Sequence, residues 1–124
     1  MKGTLILSNK WDIRFLEMAK VVASWSKDPS TQVGAVAVRN RTVIAQGYNG
    51  LPRGMRDTED RLTVRPLKIK MIVHAEMNAI YNAAENGVSL KDSTVYVVGL
   101  PVCQECAKGL IQVGVKRIVT PQQD

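Results

Sequence analysis

Histidine and cysteine are nearly absent from this chain of 124 residues: His74 is the single histidine, and Cys103 and Cys106 are the only cysteines. Long apolar runs are missing too, so no segment reads as a membrane-spanning helix. The start, Met1 to Ser8, has too short an apolar core for a secretory signal peptide. Together these absences lead to the expectation of a cytoplasmic protein with no membrane partner. In that compartment a Cys-x-x-Cys pair serves as a metal site or redox pair rather than as a structural disulfide. No repeat or low-complexity segment occurs. Acidic residues are the scarcer sign, 11 against 17 Lys and Arg, which leaves a net charge of +6 and a pI near 9.6. That balance favours anionic partners but does not separate a nucleotide from a nucleic acid.

What is present is ordinary for a globular protein, with 45% hydrophobic and 23% charged residues. The length fits one domain, residues 1–124. Trp11, Phe15, Met18, Val22 and Trp25 recur at steps of four and three, the period of one helical face, with Ser8 or Asn9 as N-cap. Asp-Pro and small polar residues make Ser26 to Gln32 a loop. Val33 to Val38 reads as a buried strand and Thr42 to Gly47 as its hairpin partner across Asn40-Arg41. From Gly50 to about Ile69 neither period is visible. That stretch, with Lys70 just beyond it, holds six Lys and Arg against three acids, half of the chain's positive surplus. A patternless loop of that length is more often functional than idle, and its arginines suit phosphate by paired, charge-assisted hydrogen bonds. A helix follows from near His74, with Met77, Ile80 and Ala84 on one face and Asn86-Gly87 as its stop. Thr94 to Val98 is a third strand. A helix opened by the cysteines carries Ala107, Leu110 and Ile111, Gly114 ends it, and Val115 to Val119 is a fourth strand. The order α, β, β, α, β, α, β implies a layered α/β domain with helices covering a mixed sheet.

The three rare residues fall in two short clusters, His74-Ala75-Glu76 and Cys103-Gln104-Glu105-Cys106, each opening a helix. One imidazole and two thiolates are a donor set for zinc that leaves a fourth vertex to water. Helix N-termini favour thiolate through their unpaired N–H groups and dipole. Water at the open vertex is acidified toward neutral pH, and Glu76, two residues past the histidine, has the chemistry to move its proton. A purely structural zinc module, or a thiol-redox pair, would use the cysteines but gives Glu76 no task.

The pair of clusters is similar to the H-x-E and P-C-x-x-C signature of zinc nucleobase deaminases. Ser26-Lys27-Asp28-Pro29-Ser30 leading into Val33-Gly34-Ala35, then Gly47 to Gly54, His74 to Ile80 and Glu105 to Lys108 resemble deoxycytidylate (dCMP) deaminases, a branch of the zinc-dependent cytidine and deoxycytidylate deaminase superfamily, in order and spacing. The match runs from about Trp11 to Val119. The resemblance implies a three-layer α/β/α cytidine-deaminase-like fold with a mixed sheet of four to five strands. It implies one Zn2+ held by His74, Cys103 and Cys106, and hydrolytic deamination of dCMP to dUMP with release of ammonia, a step in the supply of dTMP precursors. Glu76 would protonate ring N3 as water attacks C4 and then hand a proton to the leaving amine. Asn49 would contact the sugar, the backbone at Ala75 the base, and the Ser26 to Asp28 loop with an arginine the phosphate. It further implies a homohexamer activated by dCTP and inhibited by dTTP, with Mg2+ accompanying the triphosphate at Gly47, Tyr48, Asn49 and Gly50, and no nucleic-acid partner. A deaminase of dCTP, cytidine or another base would share the metal ligands. The sequence departs from the pattern at Pro101-Val102-Cys103, where the proline stands one residue early, and in ending soon after the fourth strand.

Overall fold

The computed structural model describes residues 9–121. Its elements are α1 (Lys10–Ala23), β1 (Gly34–Arg39), β2 (Thr42–Tyr48), α2 (Glu59–Thr63), α3 (Arg65–Met71), α4 (Ala75–Glu85), β3 (Thr94–Val98), α5 (Gln104–Gln112) and β4 (Arg117–Val119). The sheet order is β2-β1-β3-β4, with β1 antiparallel to both neighbours and β3 parallel to β4. This is the mixed four-stranded sheet that the sequence leads one to expect. At the β1–β2 hairpin, Arg39 pairs with Thr42 and both intervening residues have positive φ, 54° at Asn40 and 57° at Arg41. A two-residue turn of that hand matches the twist of the strands it joins.

Alternation along the two central strands sorts the core into two layers. Ala35, Ala37, Val95 and Val97 pack with Ala75, Ala79 and Ala83 of α4 and Leu110 of α5, whereas Val36, Val38, Tyr96 and Val98 pack with Phe15, Ala19 and Val22 of α1. Covered on both faces, β1 and β3 read as unbroken apolar runs. Gly47 shows how close α4 lies: a Cβ there would overlap the backbone N of Ala79 and O of Ala75.

Several expectations need correction. The stretch from Gly50 to Ile69 is not a loop throughout, because it contains α2 and most of α3. Thr58 caps α2 by accepting from the Arg61 N–H, and α3 carries a proline in its first turn, an allowed place for a residue that lacks N–H. Both helices are too short to show a period. On α1 the buried face is Asp12, Phe15, Ala19, Val22 and Ala23, while Met18 is exposed at 43% and Trp25, exposed at 49%, lies past the end of the helix. Asn9 is the N-cap, accepting from the N–H groups of Trp11 and Asp12; Ser8 lies outside the described residues. Ala84 and Ile111 face outward; Ala83 is buried in place of the first, and Leu110 is buried as the sequence leads one to expect. Val115 is buried but precedes β4.

Candidate active site

Two helix starts meet at the far end of a cleft. His74 is the N-cap of α4 and Cys103 the N-cap of α5, both with extended backbone, so each side chain leaves the chain just where four backbone N–H groups lack helical partners. His74 Nδ1 lies 3.5 Å from Cys103 Sγ and 3.3 Å from Cys106 Sγ, and the three donor atoms fall within 4.8 Å of one another. Zinc bonded tetrahedrally to nitrogen at about 2.0 Å and sulfur at about 2.3 Å sets N and S roughly 3.5 Å apart. The observed spacing therefore fits one ion. Burial, then Cys103 and the Glu76 carboxylate, push the Cys106 thiol up, and a dication among these groups would reverse that preference.

Glu76 is in the first turn of α4 and 4% exposed. Burial raises its pKa, while its own backbone N–H and the His74 charge pull the other way. A carboxyl that holds its proton more firmly than usual is suited to giving as well as taking one near neutral pH. Ala75, fully buried, completes this wall.

The cleft has a volume of about 340 Å3, enough for a small ligand, and is bounded by His74, Ala75, Glu76 and Cys103, by Asp28, Thr31 and Asn49, and by Arg65 and Lys68. Leu100 and Pro101 form part of its rim. The displaced proline thus stays at the cleft, and Val102, half-buried, packs against the core beneath. Gly99 sets the approach of this loop, because at its φ of 113° a side chain would be strained and would overlap the Gln32 carbonyl.

Asn49 is 7% exposed and lines the cleft. Ser26 and Asp28 are buried and bonded inward. Ser26 Oγ donates to the Asn49 carbonyl at 2.8 Å and accepts from the Asp28 N–H at 3.2 Å. Asp28 is also ion-paired with Lys68 at 2.7 Å. Of the Gly47 to Gly50 segment, Gly47 faces α4, and Tyr48, 41% exposed, meets the Trp25 ring edge-on with centroids 6.3 Å apart. Gly50 forms an isolated antiparallel bridge with Val73 just before His74. Sequence reasoning placed Arg65 and Lys68 in a cationic stretch without separating them from their neighbours. The proline at the start of α3 was the signal that could have put them on one helix.

Residues 9–122 match the family described as the cytidine and deoxycytidylate deaminase zinc-binding region. An uncharacterized deaminase of Aliivibrio fischeri is 41% identical over 115 residues, 93% of this chain and 75% of that protein. A probable deoxycytidylate deaminase of Caenorhabditis elegans is 45% identical over 109 residues, 85% of this chain and 54% of its own length. The deoxycytidylate deaminase of Mus musculus is 38% identical over 119 residues, 89% of this chain and 64% of its own. The chain thus spans less than two thirds of either animal protein. The dCMP deaminase of cyanophage S-TIM5, solved in complex with dCMP and dUMP, superposes with a TM-score of 0.77 at 26% identity, over 92% of this chain and 82% of that one. Family, fold and donor set agree, and the chain belongs to the zinc-binding cytidine and deoxycytidylate deaminases.

Proposed function

We propose that this chain is a zinc-dependent hydrolase that converts dCMP and water to dUMP and ammonia. The observation that carries the proposal is that buried Glu76 shares the wall of a cleft of about 340 Å3 with His74 and Cys103, two of the three clustered metal donors. Zinc bound by those three side chains would supply acidification of a water molecule. Glu76 takes the proton that this water gives up and places it on ring N3 as the oxygen bonds to C4, then takes the remaining proton from that oxygen and delivers it to the amine as the C4–N bond breaks. The backbone at Ala75 holds the base. Both N–H groups of the Asn49 amide are committed to protein acceptors, so what it offers a sugar hydroxyl is a free lone pair on Oδ1. Arg65, exposed on α3 at the edge of the cleft, is the cation placed to meet the 5′-phosphate.

The same reading includes cytoplasmic location, a homohexamer, activation by dCTP and inhibition by dTTP with Mg2+, acting at Gly47 to Gly50. The Tyr48 and Trp25 pair supports an effector there, because these exposed rings directly precede Asn49 and Ser26 in the chain. Coupling of that kind is reciprocal: an inhibitor that weakens dCMP binding is itself weakened by dCMP. The test is ammonia release from dCMP, dCTP, cytidine and deoxycytidine by protein carrying one equivalent of zinc, with and without dCTP or dTTP. Glu76→Gln is expected to keep its metal and lose turnover by roughly three orders of magnitude or more. Normal turnover in that variant removes Glu76 from the chemistry.

A further inference from the structure

Asn49 is held from behind by the 28–33 segment and, at one remove, by α3. Its Oδ1 accepts from the Val33 N–H at 2.8 Å, and Nδ2 donates to the Thr31 carbonyl at 2.9 Å and to Asp28 Oδ2 at 3.2 Å. The opposite oxygen of Asp28, Oδ1, accepts from the N–H groups of Ser30 and Thr31 at 2.8 and 3.3 Å and from Lys68 Nζ at 2.7 Å. Lys68 stands forty positions along the chain from Asp28, and the two side chains are 16% and 5% exposed. A carboxylate so enclosed needs compensating donors to remain where it is. Lys68 is the charged one.

We infer that Lys68 is a positioning residue for the deamination, anchoring Asp28 so that the Asn49 amide keeps one orientation toward the substrate. The inference rests on the reading above, in which Asn49 meets the nucleotide sugar. Lys68 lines the cleft, yet its ammonium is committed to Asp28, whereas Arg65, three residues earlier on α3, has no acidic partner among the described residues. The two cations therefore divide the work, Arg65 toward the anion of the ligand and Lys68 toward the frame that holds Asn49.

The ionisation of Asp28 offers a readout. Burial raises its pKa, but Lys68 and the Ser30 and Thr31 N–H groups outweigh burial and hold it below the usual carboxylate value. The other charged or titratable groups that line the cleft are Arg65, His74, Glu76 and Cys103; Lys27, next to Asp28, is paired with Asp57 instead.

The experiment compares kcat/KM for dCMP and for deoxycytidine across about pH 4 to 8 in the zinc-loaded wild type and in Lys68→Met, Lys68→Arg, Asp28→Asn and the Lys68→Met, Asp28→Asn pair. The expected result is a loss of at least about tenfold in Lys68→Met, equal for the two substrates, with the acid limb shifted to higher pH. Lys68→Arg restores most of it, and Lys68→Met adds no further loss in the Asp28→Asn background. A loss confined to dCMP would mean that Lys68 touches phosphate and overturns the inference, as would additive losses in the double variant. Lys68→Gln replaces Lys68→Met should the latter lose its cooperative melt. Absence of turnover in the wild type would count against the deaminase reading alone. The positioning role is then read from the Asn49 side-chain amide resonances, which should shift in Lys68→Met and stay in place in Arg65→Ala. Unshifted resonances in Lys68→Met would overturn it.

Discussion

Asp12 is the buried acid that no helical period could reveal, and it ties three elements together. It is 2% exposed and accepts from the Tyr96 hydroxyl at 2.6 Å and from Arg117 Nη2 at 2.7 Å and Nη1 at 3.2 Å. α1, β3 and β4 thus share one carboxylate. Burial, followed by the hydrogen bond and charge of Asp12, pushes the Tyr96 phenol up to about 12, so this tyrosine remains a donor at any working pH. Asp12→Ala leaves a buried hydroxyl and a partly buried guanidinium without their acceptor, and is expected to cost about 2–4 kcal/mol, read as a lower urea midpoint with unchanged slope. Tyr96→Phe, which leaves Arg117 to pair with Asp12, should cost about 1 kcal/mol. Asp28 gives the complementary pH signal. Its folded pKa is lowered, so the stability it contributes is fully present above the ordinary carboxylate value and is lost as pH falls through the depressed one. In Lys68→Met the acid-side loss attributed to Asp28 should shrink when denaturant midpoints are compared from neutral pH downward.

At the scale of elements, legibility follows length and burial. α1, α4, β1 and β3 are long or doubly covered, and their periods or apolar runs show in the sequence. The errors come from faces rather than from existence. Counting large apolar residues at helical spacing selects Met18 and Trp25, the latter beyond the end of α1, whereas the helix buries small Ala19 and Ala23, against which the sheet can approach closely. The Gly50 to Ile69 stretch hides two helices because α2 buries only Leu62 and α3 buries nothing. Without a buried stripe no period is written. What fastens this segment is visible only in space: the Gly50–Val73 bridge closes its neck, and two of the four ion pairs among the described residues, Lys27–Asp57 and Asp28–Lys68, join it to the 26–32 loop. The metal donors were legible for the opposite reason, since three scarce residues in two short motifs stand out whatever the fold. Gly47 tests how rigidly β2 carries α4. Gly47→Ala would drive a methyl into the backbone of Ala79 and Ala75, so the helix that presents His74 and Glu76 must shift. The expected outcome is a destabilisation of about 2 kcal/mol or more together with fewer zinc ions per chain, measured by melting and elemental analysis.

For the whole molecule, the question is whether the metal holds up the fold or the fold holds the metal. The two core layers account for most of the buried apolar residues, and of the three donors only Cys106 is buried. His74 and Cys103 sit at helix caps on the cleft wall, outside both layers. Zinc modules that unfold without their ion lack such a core, and in them the binding free energy is the folding free energy. Here a sheet covered on both faces, with α1, α4 and α5 packed on it, supplies the folding energy independently. Ion removal by a chelator at neutral pH is therefore expected to abolish turnover while far-UV dichroism and a cooperative melt persist, with a midpoint lowered by the binding linkage alone. Restoring one equivalent of zinc should return activity without a refolding step. If the stripped protein instead loses its secondary structure, the donors are holding up the scaffold, and the catalytic assignment of Glu76 must then stand on its variant alone.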